Sequence, residues 1–258
     1  MADTLQVVEL AGQSDTGRVR DHNEDRCFAS ADLVAVADGM GGALAGEVAA
    51  QVAVDAMEQV STPIDAMALK RAIEGANRAI RTMAARDAAK AGMGTTMTAV
   101  VVAGGHAEVI HVGDSRAYLW RDGTLTQLTD DHSVVAELVR RGTISQAEAE
   151  EHPHRNVITR ALGAEAEVQV DRREIDVRSG DVLLLSSDGL HGEISDADIA
   201  GTLAEGGPLE DLARRLVDRA NDAGGADNIT VVLARIGDGE PASALSTNRP
   251  VDTAEFPV

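Results

Sequence analysis

The chain has 258 residues, 44% of them hydrophobic and only 2% aromatic, so it can bury a full core but must build it from aliphatic side chains. Its formal charge of −20 excludes a nucleic-acid surface, which needs an excess of lysine and arginine, and it repels anionic ligands unless a local positive feature draws them in. The single cysteine, Cys27, excludes an internal disulfide and a multi-cysteine zinc site and points to a reducing cytoplasm; the start Met1-Ala2-Asp3-Thr4 does not read as a leader, and no apolar run reaches membrane-spanning length.

Residues 5–14 and 27–37 alternate or run apolar and read as strands, with Ser14-Asp15-Thr16-Gly17 as a turn. The run Leu33-Val34-Ala35-Val36-Ala37 breaks off at Asp38 and enters a loop of mostly small residues, Gly39-Met40-Gly41-Gly42. From 44 to 60 the pattern Val48, Val52, Ala56, Val60 suits a helix. Thr62-Pro63-Ile64-Asp65 is a capping signal with proline at the first helical position. The helix it starts carries Leu69, Ala72, Ile73, Ala76, Ile80 and Met83 on one face. Strands follow at 95–102, 107–112, 116–121 and 124–128, with Gly113-Asp114-Ser115 as a plain turn. Asp122-Gly123, flanked by strand-like runs, reads as a type I′ hairpin without chemistry.

Between 131 and 160 the pattern changes to a small helical flap. Val134, Val135, Leu138 and Val139 mark one short helix, and Ser145-Gln146-Ala147-Glu148 is a capping box for another. His152 and His154 read equally as surface residues or ligands. Strands resume at 168–177 and 182–187, where an apolar run again ends in a carboxylate, Ser187-Asp188-Gly189. A helix with Leu209, Leu212, Ala213, Leu216, Val217 and Ala220 on one face precedes a last strand at 229–236. Residues 237–258 are polar, hold three of the six prolines, and read as a disordered tail behind a single domain at 1–236. Strands dominate and helices come in consecutive pairs. This predicts an α+β fold, a central antiparallel β-sandwich flanked by helix pairs in α-β-β-α layers.

Each Asp-Gly alone reads equally as a turn or a site. Taken together, Glu24, Asp25, Asp38, Asp131, Asp188 and Asp227 all sit at element ends, all but Asp131 within two residues of glycine or asparagine. If these rim positions converge, each like-charge pair near 4 Å costs about 4 kcal/mol at an effective dielectric of 20. Such a cluster persists only if carboxyls protonate or divalent cations fill it, and oxygen-only donors suit Mg²⁺ or Mn²⁺ better than Zn²⁺.

The motifs Ser14-Asp15-Thr16-Gly17 with residues 20–25, the Asp38 loop, Gly94-Thr95-Thr96, Gly113-Asp114-Ser115-Arg116, Ser187-Asp188-Gly189 and Asp227-Asn228 stand in one order over residues 8–236. In these the chain resembles the bacterial metal-dependent serine/threonine phosphatases of the PPM, or type 2C, family. The resemblance implies two core Mn²⁺ or Mg²⁺ ions bridged by Asp38. Asp188 and Asp227 would hold the first; the Gly39 carbonyl and Glu24, in part through water, would serve the second. Asp131 would pair with Asp188 for a weaker third ion, Arg20 would grip the substrate phosphate, and Asp25 would orient water. It further implies attack on phosphorus by a metal-activated water, phosphorylated protein substrates, a serine/threonine kinase as counterpart, and a cytoplasmic monomer without membrane or nucleic-acid partners. Where many eukaryotic members carry histidine after the Asp-Gly, this chain has Met40, which removes a general acid at that point. The alternative is an inactive scaffold or binding module of the same fold.

Overall fold

In the computed structural model, residues 5–41, 45–60, 64 and 66–246 are described. In chain order the elements are β1 (Gln6–Asp15), β2 (Arg26–Ala29), β3 (Leu33–Ala37), β4 (Gly39–Met40), α1 (Ala45–Glu58), α2 (Ala66–Arg86), β5 (Gly94–Thr95), β6 (Met97–Ala103), β7 (His106–Val112), β8 (Arg116–Arg121) and β9 (Thr124–Gln127). They continue through α3 (Val134–Arg140), α4 (Gln146–Glu150), β10 (Asp171–Asp176), β11 (Val182–Ser186), α5 (Asp188–His191), α6 (Asp196–Ala204), α7 (Leu209–Ala223), β12 (Ile229–Gly237) and β13 (Leu245–Ser246).

Two antiparallel sheets face each other, ordered β1-β12-β11-β8-β9 and β10-β7-β6-β3-β2-β13. Alternation along the strands assigns side chains to layers. Val34 and Val36 of β3 meet Leu183 and Leu185 of β11 and Val232 of β12 between the sheets. Ala35 and Ala37, from the other face of β3, pack under α1 and α2 with Ala49, Ala53, Leu69 and Ile73. Leu184 and Leu233 face outward under α6 and α7 with Ile199, Leu212 and Leu216. Both faces of β3 and β11 are therefore covered, which is why these strands read as unbroken apolar runs. Truncating a side chain such as Leu184, fully buried, would cost about 2–5 kcal/mol. The predicted α-β-β-α sandwich is the observed architecture.

Details differ from the sequence expectations. The stretch at 27–37 is a hairpin, broken where Ser30 turns the chain and its hydroxyl accepts from Leu33 N–H at 3.1 Å. Gly39-Met40 is not simply loop; it pairs with Gly94-Thr95 as a two-residue ladder. The strand expected at 168–177 is shorter, Asp171–Asp176. The capping signal at 62–65 lies, apart from Ile64, outside the described residues, whereas the Ser145 capping box forms. Residues 238–246 do not trail away. Ala242 N–H donates to Val7 O at 2.9 Å and β13 pairs with β2, covering an edge strand whose backbone groups would otherwise be open. The rest of the expected tail, 247–258, lies outside the described residues. Among the described residues no helix is long and apolar enough to cross a membrane.

Candidate active site

Strand register brings distant carboxylates to one end of the sandwich. β2 and β3 are antiparallel with Arg26 opposite Ala37, so the residue before β2 and the residue after β3 are neighbours: Glu24-Asp25 and Asp38. β11 and β12 pair Ser186 with Val231, and Ser187 N–H donates to Thr230 O at 3.1 Å, which sets Asp188 beside the Asp227-Asn228 approach to β12. One pair comes from each sheet, and the two sheets meet here.

Arg20, Glu24, Asp38, Asp114, Asp188 and Asp227 line a cavity of about 640 Å³, together with Gly39, Met40, Thr96 and, from the flap, Asn156 and Ile158. Asp38 is fixed by its backbone: its N–H donates to Thr96 Oγ1 at 2.9 Å, and its carbonyl accepts from Thr96 N–H at 2.9 Å and Thr95 Oγ1 at 2.8 Å. The close approach of α1 demands small residues. A Cβ on Gly39 would stand 2.2 Å from Gly46 O, so the first turn of α1 rests directly on the Asp38 loop.

Asn228 ties the Arg20 loop to β12. Its Oδ1 accepts from Glu24 N–H at 2.8 Å, and its Nδ2 donates to Thr16 O at 2.9 Å and His22 O at 2.8 Å. Arg26 braces the same segment from the other side, donating to Asn23 O at 3.1 Å and Asp25 O at 2.7 Å while pairing with Glu47 of α1. Arg20 itself reaches Asp227, Nη2 to Oδ2 2.6 Å, with half of its side chain exposed.

The carboxyls crowd one another. Burial, then the charges of Asp25, Asp188, Asp114 and Asp227, hold Asp38 well above the usual carboxylate range. Burial, then Asp188 and Asp131, do the same to Asp114. Burial and Asp227 push Asp188 to about 6. Burial lifts Asp25 to about 7 despite the hydroxyl of Ser187, whose Oγ donates to Oδ2 at 2.7 Å. Glu24 is also raised, chiefly by burial. Glu24 Oε1, Asp25 Oδ1 and Asp188 Oδ1 are buried without a hydrogen-bond partner. Buried orphan oxygens on carboxyls that repel one another are what a cationic occupant would satisfy. The donor set is all oxygen, which fits Mg²⁺ or Mn²⁺. Among the described residues no three His, Cys, Asp or Glu side chains already converge on one point in metal-binding geometry.

Two expected residues stand elsewhere. Asp25 lies buried behind the cavity wall. Asp131 does not line the cavity. Its carboxylate receives Arg116 Nε at 3.0 Å, Arg116 Nη2 at 2.7 Å and Gln127 Nε2 at 3.1 Å, so its charge is already answered. The residue that sequence reasoning missed is Asp114, in the β7–β8 turn, buried and lining the cavity. Applying the strand-end rule to the apolar end of β7 would have found it. Asn228 carries a role that its place in the Asp227-Asn228 motif does not suggest: its amide is the post around which the Arg20 loop is wrapped.

Comparison with known proteins agrees with this geometry. The family described as protein phosphatase 2C matches residues 17–234. The serine/threonine protein phosphatase PstP of Mycobacterium tuberculosis is 43% identical over 243 residues, covering 92% of this chain and 47% of the relative. The chain thus spans about half the length of that protein. The serine/threonine phosphatase stp of Listeria welshimeri is 40% identical over 234 residues, covering 86% of this chain and 93% of the relative. The solved catalytic domain of PstP in complex with two manganese ions superposes with a TM-score of 0.81 at 41% identity, covering 90% of this chain and 99% of that one.

Proposed function

The chain belongs to the protein phosphatase 2C family, and on that premise we propose that it hydrolyses phosphoserine and phosphothreonine in proteins with the help of Mn²⁺ or Mg²⁺. The observation that carries this reading is the ring of mutually repelling carboxyls from both sheets, with partnerless buried oxygens, around a cavity entered by one arginine.

In this reading Asp38, Asp188 and Asp227, with Glu24 and the Gly39 carbonyl, would hold two core ions. Asp114, which lines the cavity where Asp131 does not, would take the place that the resemblance implied for Asp131 and serve a weaker third with Asp188. Bound there, divalent cations supply charge neutralisation for phosphoryl oxygens and a water acidic enough to act as nucleophile near neutral pH. The chain's own groups do the positioning. Arg20 offers a fork of donors to the phosphate from a loop pinned by Asn228. Asp25, fixed through Oδ2 by Ser187, keeps Oδ1 without a partner, where it would accept a hydrogen bond from a water and so orient it. Thr96 holds the Asp38 backbone from both its hydroxyl and its N–H, so that carboxyl cannot retreat. Natural counterparts would be phosphorylated proteins and the serine/threonine kinase that makes them, in a cytoplasmic setting.

The test is turnover of a chromogenic aryl phosphate by chelator-stripped protein with and without Mn²⁺. Metal-dependent hydrolysis, nearly abolished in Asp38→Asn and Asp188→Asn, is expected. Equal activity in chelator would remove the metal mechanism, and none under any condition would favour the inactive-scaffold alternative.

A further inference from the structure

Residues 66–90 reverse the charge of the rest of the chain. They hold six basic side chains, Lys70, Arg71, Arg78, Arg81, Arg86 and Lys90, against two acidic ones, Glu74 and Asp87, in a protein of net charge −20. Both acids face a lysine, Lys70 Nζ to Glu74 Oε1 at 3.9 Å and Lys90 Nζ to Asp87 Oδ2 at 3.4 Å. Arg81 donates to Ala164 O at 2.9 Å. That leaves Arg71, Arg78 and Arg86, all exposed, whose guanidinium groups have no ion-pair or hydrogen-bond partner among the described residues. Elsewhere the surplus of carboxylates answers many arginines, as Asp181 does Arg121 and Glu9 does Arg235.

The three arginines share a face. Steps of seven and eight residues are each about two helical turns, so they form one stripe along about 22 Å of α2. Gly75 and Thr82 lie between them on the same stripe, each about one turn from an arginine on either side. Glycine inside a helix is destabilising relative to alanine, and nothing in the chain demands it here. A Cβ at 75 would meet only Arg78 Nη2, at 3.9 Å. What the missing side chain does is open a notch between Arg71 and Arg78 where an outside backbone can come close.

Charge and width narrow the occupant. At physiological ionic strength charges act over about 8 Å. A narrow acidic segment laid in the notch meets the arginines and little else, whereas a nucleic-acid duplex or a bilayer also meets the carboxylates around the stripe. A bilayer needs in addition an apolar face to insert, and α2 has spent its own: Leu69, Ile73 and Ile80 are fully buried in the core. Arginine's planar fork matches a carboxylate at two points. We infer that the Arg71, Arg78 and Arg86 stripe is a docking surface for an extended acidic segment of a partner protein, which runs along α2 with its backbone in the notch at Gly75. None of these residues lines the cavity, so the surface is separate from the phosphatase reading.

The experiment measures, by fluorescence anisotropy, binding of two labelled dodecapeptides to the whole chain, one alternating Glu with Ser and the other Gln with Ser. The wild type is compared with Arg71→Ser/Arg78→Ser/Arg86→Ser and with Gly75→Leu. The wild type should bind the Glu peptide about tenfold or more tighter than the Gln peptide, less so as salt rises. The triple variant should bind the Glu peptide about tenfold less tightly. Its substitutions are at exposed positions, where stability effects are small. Gly75→Leu leaves the charge unchanged. It should melt about 2 °C or more higher, because leucine is the better helix former, and yet bind the Glu peptide about tenfold less tightly. A gain in stability with a loss of binding is a split that a merely structural glycine does not give. Equal affinity of the wild type for the two peptides, or affinity for the Glu peptide unchanged in either variant, overturns the docking surface. Tighter binding of duplex DNA or of phosphatidylserine vesicles than of the Glu peptide overturns the polypeptide occupant. Self-association in sedimentation that the triple variant abolishes would place a second copy of the chain there and overturn it too.

Discussion

Arg20 and Asp227 are joined across the mouth of the cavity, guanidinium Nη2 to carboxylate Oδ2, at 2.6 Å. The same two groups have different work in the proposed reaction, one to hold phosphate and the other to hold a cation, so the ion pair is a resting contact that ligands must break. Arg20→Ala should therefore raise KM for an aryl phosphate about tenfold or more while lowering kcat less. It should leave Mn²⁺ affinity unchanged or tighter, since Asp227 loses a competitor. Steady-state kinetics beside calorimetric Mn²⁺ titration checks both, and weaker Mn²⁺ binding in the variant would contradict the resting-contact account.

Asp114 and Asp131 should behave in opposite ways. Asp114 is crowded by other carboxyls, so Asp114→Asn should raise the melting temperature in chelator while reducing the Mn²⁺ bound at saturation. Asp131→Ala strips the largely buried Arg116 of its two-point partner and should cost about 3 kcal/mol with little change in Mn²⁺ binding. Thermal scans and metal titration of the two variants decide which carboxylate belongs to the site.

Metal and pH should be linked through the raised carboxyls. Folding without metal raises Asp188 to about 6 and Asp25 to about 7, with Asp38 and Asp114 also well above the usual range. The folded chain then holds protons that the unfolded chain loses near pH 4, so this contribution to stability is complete below that pH and is lost as pH rises through 6 to 7. Each such proton is worth about 1.4 kcal/mol per pH unit across its window. Mn²⁺ displaces those protons, so its stabilising effect should grow from pH 5 to pH 8. Melting curves with chelator and with Mn²⁺ over that range would show the gap widening; a constant gap would mean the carboxyls are not where the metal binds.

His111 carries a linkage of the opposite sign. Burial and the stacked ring of His132, 4.7 Å away, depress its pKa to about 3. The folded state therefore excludes a proton that the unfolded chain accepts near 6.5, and stability present above that pH is lost as pH falls below it. His111→Gln should flatten this acid limb by about 1 kcal/mol per pH unit between pH 6 and 4, measured by urea unfolding at fixed Mn²⁺.

Much of the fold was legible in the chain because burial on both faces leaves a plain mark. The unbroken runs at β3 and β11 announced covered strands, and each ended in the carboxylate that the structure sets at the cavity. Asp122, with φ of +49°, and Gly123 form the expected two-residue hairpin, so the same Asp-Gly pair was told apart by the strand on its far side. Asp114 was passed over because its Gly-Asp-Ser turn looks like any other, although it follows the apolar end of β7. What aims it at the cavity is the packing of Gly113 against Thr96, where a Cβ would stand 2.6 Å from the threonine side chain, and that is a contact between strands. Asp131 misled for the converse reason. Its neighbours in sequence say nothing of Arg116, which reaches it from β8 and answers its charge. The return of residues 238–246 onto β2 depends on an open sheet edge that no local pattern records.

The central claim is that carboxylates from both sheets meet to hold divalent ions. Calorimetric titration of Mn²⁺ into chelator-stripped protein at pH 7.5 tests it most directly, with Asp38→Asn alongside. The account predicts saturable binding of at least two ions by the wild type and loss of the tight phase in the variant. Absence of saturable binding, or an identical isotherm in Asp38→Asn, would contradict it.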